Sequence, residues 1–133
     1  MKVNIGNYQK NGSKRKITVQ IDKWDTWSLD HTLALIIHPA LVQIKEQNLG
    51  HPCGIAPSTE GAPDYQPAKM NHSCDNCECE KEWNVILDKM IWSFKQVLDD
   101  DILSFSPEEY REYNKKVQEG LELFGKYYQN LWT

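Results

Sequence analysis

The stretch that decides the fold of this chain is residues 83–98, which read WNVILDKMIWSFKQVL. Apolar side chains recur in it at spacings of three and four, which is the period of one buried face of an α-helix. The members of this face are Trp83, Ile86, Leu87, Met90, Ile91, Phe94, Val97 and Leu98. The pattern predicts a helix over 81–98, with a start as early as Cys79, that is buried along one side.

Another helix is predicted downstream, over residues 106–131. Ser106 is typical of an N-cap, Pro107 of the first helical position, and Glu109 completes a capping box. The apolar stripe of this helix consists of Tyr110, Tyr113, Val117, Leu121, Phe124, Tyr128 and Leu131. Gly120 costs about 1 kcal/mol relative to alanine in an exposed helix. We therefore expect a close helix crossing at this glycine.

Upstream, residues 26–48 carry a third helical pattern. Either Thr26 or Ser28 can cap its first amides, and Gly50 provides a stop. The stripe that we expect to be buried consists of Leu29, Leu33, Ile36, Ile37, Ala40, Leu41 and Ile44. Pro39 lies inside this pattern. Because proline lacks an amide proton and clashes with the carbonyl four residues earlier, we expect a kink or a break just before it.

Residues 1–24 alternate apolar and polar side chains, which is the period of a β-strand. The apolar positions are Val3 and Ile5 in a first strand and Ile17, Val19 and Ile21 in a second. Asn11 and Gly12 between them favour a tight hairpin turn. A two-residue loop there would place the two apolar sets on opposite faces. One extra residue must therefore be absorbed, in a three-residue bulged loop or in a bulge at Gly6.

Together these elements predict an α+β, mainly α fold, in which an N-terminal β-hairpin is followed by three helices. A long loop over residues 49–80 separates the first two helices. The length of 133 residues and the mass of 15.5 kDa fit a single domain over 1–133. With 40% hydrophobic and 26% charged residues, the composition excludes the disordered class.

No segment of the sequence has the character of a membrane span. The longest apolar run, Leu33–Ile37, is far shorter than the roughly 20 residues that a spanning helix needs. The first 25 residues also lack the apolar core of a signal peptide. We expect a soluble, cytoplasmic protein with no membrane partner.

Charge is segregated along the chain. The net charge is -4, but residues 1–23 contain six basic side chains and one acidic side chain, and so carry +5. The net charge argues against a generally basic nucleic-acid binder. Lys14, Arg15 and Lys16 at the hairpin tip are nevertheless candidate phosphate contacts. Nucleic acid is thus a possible partner that we do not favour.

The cysteines of the chain fall in one segment, and two histidines accompany them. These residues are Cys53, Cys74, Cys77 and Cys79, with His51 and His72. Two thiolates two residues apart can grip one tetrahedral zinc from a single turn, and distant ligands close the site. We predict a structural zinc on the four thiols, with either histidine as a substitute ligand. Disulfides and thiols that bind no metal are the alternatives.

The junction between hairpin and first helix, residues 24–31, reads WDTWSLDH. One interpretation is a ligand site in which Trp24 and Trp27 stack on a base while Asp30 and His31 lie beside a helix N-terminus that faces phosphate. The simpler interpretation, which we favour, places both indoles in the core and leaves His31 on the surface.

An enzymatic interpretation rests on Asp30, His31 and Asp88. If these side chains converged, they would resemble part of a metal-dependent nucleotide hydrolase. The sequence has no Gly-rich phosphate loop, no G-x-S-x-G and no H-E-x-x-H motif. No catalytic residue is therefore assigned in the leading hypothesis, and this trio is kept as the alternative.

Three segments resemble a family of uncharacterised proteins of tailed bacteriophages. They are residues 14–39, which contain WDTWSLDHTLALII, residues 83–94 (WNVILDKMIWSF) and residues 121–132 (LELFGKYYQNLW). The resemblance covers the second strand and all three helices. It implies a phage origin and the host cytoplasm as the place of action, but no activity. The cysteine set is not part of the family pattern, so the zinc loop would be an elaboration of this chain.

The leading hypothesis is a non-catalytic phage accessory protein. It would bind a host protein or sequester a small nucleotide-like ligand during infection, as in host takeover or counter-defence. The alternatives are the metal-dependent nucleotide hydrolase and a virion or nucleic-acid-binding component. The sequence leaves the oligomeric state open.

Overall fold

The computed structural model describes residues 1–8, 14–47, 50–52, 78–99 and 105–131. Two antiparallel strands, β1 (Lys2–Ile5) and β2 (Ile17–Gln20), precede a 3-10 helix (Lys23–Thr26). Three α-helices follow, α1 (Leu29–Gln47), α2 (Glu78–Leu98) and α3 (Pro107–Tyr127), and a short 3-10 turn (Tyr128–Asn130) extends the last. The predicted α+β, mainly α fold of a hairpin and three helices is confirmed.

Helix α2 lies between the other two helices and supplies most of the core. It packs against α3 on one side and α1 on the other. The buried apolar side chains are Trp83, Leu87, Met90 and Phe94 of α2 with Ala34 and Leu41 of α1. Fully burying one large apolar side chain stabilises a fold by about 1.5–3 kcal/mol. The apolar period of residues 83–98 therefore marks the central helix of the bundle.

The crossing of α2 and α3 is as close as Gly120 predicted. Gly120 is buried, and a Cβ atom added to it would lie 2.0 Å from Ser93 Oγ and 2.5 Å from the Lys89 carbonyl oxygen. The Ser93 hydroxyl donates a hydrogen bond of 3.3 Å to the carbonyl of Lys116 on α3. Only a residue without a side chain allows the two backbones to approach this far.

The buried face of α1 is narrower than the predicted stripe. Its inward side chains are Ala34, Ile37, Leu41 and Ile44, which are buried or half-buried. Leu29, Leu33, Ile36 and Ala40 are exposed, so the prediction that they are buried was wrong. The physical reason is that α2 is the only described helix that packs extensively against α1, and one neighbouring helix covers only part of a wide apolar surface.

Pro39 does not break α1, which is continuous through it, so the expectation of a break was wrong. Pro39 is exposed, and so is Leu35, whose carbonyl loses its amide partner to the proline. That carbonyl therefore lies on the side of the helix where water can satisfy it.

A 3-10 turn that the sequence did not predict leads into α1. Asp22 caps it by accepting a hydrogen bond of 3.0 Å from the amide of Trp24, and the Asp25 carboxylate accepts one of 2.7 Å from the amide of Asp22. The α-helix then begins at Leu29, one residue after the candidate cap Ser28, rather than near Thr26.

The register of the hairpin agrees with the parity argument. Val3 pairs with Val19 and Ile5 with Ile17, so both apolar sets lie on one face and one residue has been absorbed. The Gly6 amide donates to the Lys16 carbonyl at 2.9 Å, which continues the same register. The bulge at Gly6 is therefore excluded, and the alternative of a three-residue bulged loop concerns residues 9–13, which lie outside the described residues.

Candidate functional site

The most unusual surface of this protein is one face of its hairpin, formed by Val3, Ile5, Ile17 and Val19 and called here the hairpin face. Side chains of directly paired residues project to the same side of a sheet, as do residues two apart on one strand. All four are exposed, Ile17 to 63%. In the described part of the chain, no helix packs extensively on either strand. With respect to the described residues, the hairpin face is therefore an exposed aliphatic surface.

The opposite side of the hairpin is polar. It carries Lys2, Asn4, Thr18 and Gln20, which form two cross-strand pairs. The hairpin thus has the alternation of a sheet that is covered on one side only. Two isolated strands are marginally stable in water, and they gain independent stability when their apolar face packs on something else. The pattern indicates a covering surface that the described residues do not provide.

The two tryptophans of the junction are exposed, and our favoured prediction that they belong to the core was wrong. Trp27 is 80% exposed and Trp24 57% exposed. Their rings meet edge to face with centroids 4.8 Å apart, and Lys23 Nζ lies 4.7 Å from the Trp24 ring centroid. Trp24 lies in the 3-10 turn and Trp27 is its C-cap residue, so the two indoles lie close enough to contact each other.

Asp25 stabilises this turn. Because both of its carboxylate oxygens accept hydrogen bonds, it is not free to bind a ligand. The N-terminal ammonium donates to Asp25 Oδ1 at 2.6 Å, and the Asp22 amide donates to its other oxygen. These two hydrogen bonds hold the pKa of Asp25 below its ordinary value. The ion pair between Met1 and Asp25 ties the residue before β1 to the 3-10 turn that precedes α1.

The structure does not bring Asp88 together with Asp30 and His31. The latter two follow each other in the first turn of α1, with Asp30 exposed and His31 half-buried. Asp88 on α2 accepts a hydrogen bond from Lys45 near the other end of α1. His31 and Lys45 are about 21 Å apart along the axis at 1.5 Å per residue. The arrangement required for a three-residue hydrolase centre is absent from these positions.

Most of the predicted zinc ligands lie outside the described residues. This is so for Cys53, His72, Cys74 and Cys77. Cys79 lies in the first turn of α2 and His51 shortly after α1, and both are half-buried. Among the described residues, no three His, Cys, Asp or Glu side chains lie close enough to hold a metal ion. The structural zinc stays a prediction, which elemental analysis of protein purified without added metal would test.

Of the predicted phosphate contacts, Arg15 is already engaged by the hairpin. Its guanidinium donates to the carbonyl of Gly6 at 2.7 Å and lies 4.1 Å from the centroid of the Tyr8 ring. Lys14 and Lys16 are exposed. Arg15 thus stabilises the end of the two strands, and nucleic-acid binding at these positions stays a prediction.

Exposed large apolar side chains are concentrated in the first 36 residues. Of the seventeen in the described part of the chain, thirteen lie there, including Leu29, Leu33 and Ile36, called here the α1 flank. Monomeric proteins rarely expose large apolar patches without a function, and such patches mark interaction sites. The N-terminal part of the molecule is therefore the candidate site, and what it offers is a surface for binding.

Comparison with known proteins identifies no relative of this chain. No protein-family model, no curated protein and no solved structure matches the chain. Within the described ranges, none of the helices is long and apolar enough to cross a membrane.

We did not predict the exposed hairpin face from the sequence, although the sequence contains a pattern that indicates it. Alternation in two strands indicates that one face is to be covered, and the sequence predicts no third strand. A lone hairpin can be covered by another part of its own chain or by another molecule. The pattern alone does not distinguish these two cases.

Proposed function

We propose that this chain is a non-catalytic phage accessory protein whose hairpin face docks on a host protein in the host cytoplasm. The observation that carries the proposal is the uncovered aliphatic face of Val3, Ile5, Ile17 and Val19. The resemblance of residues 14–39, 83–94 and 121–132 to tailed-phage proteins supports the phage origin and the cellular setting. Binding a host protein, in host takeover or counter-defence, is the version of the leading hypothesis that an apolar surface favours.

Burying the hairpin face supplies the driving force. Removing apolar surface from water contributes about 25 cal/mol per Å². Hot spots of protein interfaces are enriched in tryptophan, and such anchors lose little conformational entropy. Exposed Trp24 and Trp27 follow the hairpin closely in sequence and are suited to this role. A partner that covered the four aliphatic side chains and one indole would have the centre of an ordinary interface.

The charge of the hairpin defines the chemistry of the partner. Residues 1–23 carry +5, while the remaining 110 residues carry -9. Lys2 and Lys16 lie on the polar side or at the end of the strands, where they would rim the interface. An apolar groove with an acidic rim on the host protein fits this surface, since complementary charge raises association rates and selects partners.

Capture from host lysate with matched variants tests the proposal. Ile17→Thr with Val19→Thr keeps β-branched side chains but removes aliphatic surface from the hairpin face. Asn4→Thr with Gln20→Thr changes the polar side and serves as the control. We expect wild type and control to retain the same host protein at near-equal stoichiometry, and the face variant to lose it.

Two outcomes would contradict the proposal. One is that no host protein is retained stoichiometrically, or that the face variant retains it as well as wild type. The other is a homodimer of the purified chain that only the face variant converts to a monomer. That result would assign the hairpin face to a second copy of the chain.

A further inference from the structure

A separate groove lies on the α2–α3 pair, and it is lined by no residue of the hairpin or of the junction at residues 24–31. Its volume is about 600 Å³, within the range of sites that hold drug-sized ligands. Val85, Ile91 and Trp92 of α2 give it an apolar lining, and charged side chains of α2 and α3 surround them.

The tryptophan of this groove is held in a fixed orientation. Trp92 is half-buried and meets the ring of Tyr113 edge to face, with centroids 5.9 Å apart. The Tyr113 hydroxyl in turn donates to the carbonyl of Gln96 at 3.4 Å. An indole that lines a groove and is positioned by a neighbouring ring can stack on a flat aromatic ligand without first being ordered.

The charges around the groove leave two cations unmatched. Asp88 is bound by Lys45, and Lys89 Nζ is 2.6 Å from Glu119 Oε1 across the two helices. Those carboxylates are therefore neutralised. Lys95 and Lys116 also line the groove, and neither forms an ion pair with any described residue. The groove is thus locally positive on a helical body whose sequence is acidic overall.

We infer that this groove binds an aromatic phosphate of nucleotide size, with the base stacked on Trp92 and the phosphate held by Lys95 and Lys116. A planar ring uses the indole and the apolar lining, and an anion uses the two unmatched ammonium groups. The inference does not depend on the proposed function, because the hairpin face and this groove share no residue. It moves the nucleotide-like ligand expected from the sequence away from Trp24 and Trp27.

The test is titration of the whole protein with ADP, followed by calorimetry and by the indole resonances of the NMR spectrum. We expect saturable binding with a dissociation constant below about 1 mM and a shift of the Trp92 indole that the Trp24 and Trp27 indoles do not share. Assignment uses a Trp92→Phe variant. Adenosine, which has the ring alone, and pyrophosphate, which has the anion alone, should each bind more weakly than ADP.

Variants of Lys95 and Lys116 test the contact with the phosphate separately from the packing of Trp92. Lys95→Gln and Lys116→Gln should each weaken ADP binding about 2- to 10-fold, as is usual for charge contacts at a surface. Lys115→Gln changes the neighbouring lysine of α3, which does not line the groove, and should leave the affinity unchanged. The inference is overturned if ADP does not bind at millimolar concentration, if pyrophosphate binds equally well, or if the Lys115 variant has the same effect as the other two.

Discussion

The α2–α3 pair and the N-terminal hairpin carry equally clear apolar patterns, yet among the described residues only the first is covered. In the pair, the rings of Phe94 and Phe124 lie 4.9 Å apart and those of Trp83 and Tyr127 lie 5.5 Å apart. In the hairpin, the four aliphatic side chains are 39–63% exposed. The periodicity of apolar residues therefore identifies the face that is to be buried, but not the surface that covers it.

This comparison predicts that the two regions respond differently to the same kind of substitution. Side chains of the helical body should control the free energy of unfolding. Side chains of the hairpin face should control binding and leave unfolding nearly unchanged.

The largest effect is expected from a pair of tryptophan variants. Trp83 is 2% exposed, so Trp83→Ala leaves a cavity and should lower the free energy of unfolding by about 3–5 kcal/mol. Trp27→Ala removes a ring of the same size that is mostly in water and should cost less than about 0.5 kcal/mol. Urea unfolding of both variants measures the difference. Equal losses would show that Trp27 is covered in solution.

The next effect concerns the helix crossing. Gly120→Ala places a methyl group against Ser93 and the backbone of α2, and should destabilise the protein by about 1–3 kcal/mol. Gly125→Ala on the same helix is the control, because nothing lies within 4 Å of its added Cβ. That variant should stabilise α3 by about 0.5–1 kcal/mol. Thermal unfolding of the two variants would refute the close crossing if both changes had the same sign.

Removing the cap of either capping box should have a smaller effect on the free energy of unfolding, and the two effects should differ. Ser106→Ala removes the cap of α3, which belongs to the packed body, and should cost about 1 kcal/mol. Asp22→Ala removes the cap of the 3-10 turn before α1, whose residues are mostly exposed. We expect the second variant to change global unfolding less than the first. A larger loss from Asp22→Ala would mean that the turn is coupled to the core.

The same cap of α3 predicts that the free energy of unfolding depends weakly on pH. The Ser106 amide, which donates to Glu109 Oε2 at 2.8 Å, and the Ser106 side chain hold the pKa of Glu109 below its ordinary value. A lowered pKa means that the stabilisation is present above the pKa of the unfolded chain and is lost as the pH falls through the folded pKa. Comparing wild type with Glu109→Gln between about pH 6 and pH 2 tests this sign. A wild-type advantage that grew on acidification would contradict it.

The smallest change in stability is expected on the hairpin face itself. Ile17→Thr with Val19→Thr should alter the free energy of unfolding by less than about 0.5 kcal/mol, since these side chains are already in water. Unfolding in urea by far-UV circular dichroism measures this. A loss of 2 kcal/mol or more would place the face inside the fold of the isolated chain.

Patterns that act locally were predictable from the sequence. The period of residues 83–98 marked α2, the motif from Ser106 to Glu109 marked the start of α3, and Gly120 marked the crossing. Parity between the two strands predicted a register shifted by one residue. Each of these features depends on steric or hydrogen-bonding rules within a few residues, or on one close contact.

Features that depend on neighbours in space were not predictable. The exposure of Leu29, Leu33 and Ile36 depends on α2 being the only described helix packed extensively against α1. The exposure of Trp24 and Trp27 depends on a 3-10 turn capped by Asp22. The separation of Asp88 from His31 follows from the length of α1 and from the position of Lys45 near its end. The spacing of apolar residues along the sequence does not predict any of these spatial relations.

Amide hydrogen exchange of the isolated chain tests the central claim most directly, because it reports whether the hairpin is covered. The amides of α2 from Leu87 to Phe94 should exchange only through global unfolding. Those of β1 and β2 should exchange many-fold faster through local opening, and should become protected when the host protein binds. Equal protection of the hairpin and α2 in the isolated chain would contradict the account, since the hairpin face would then already be buried.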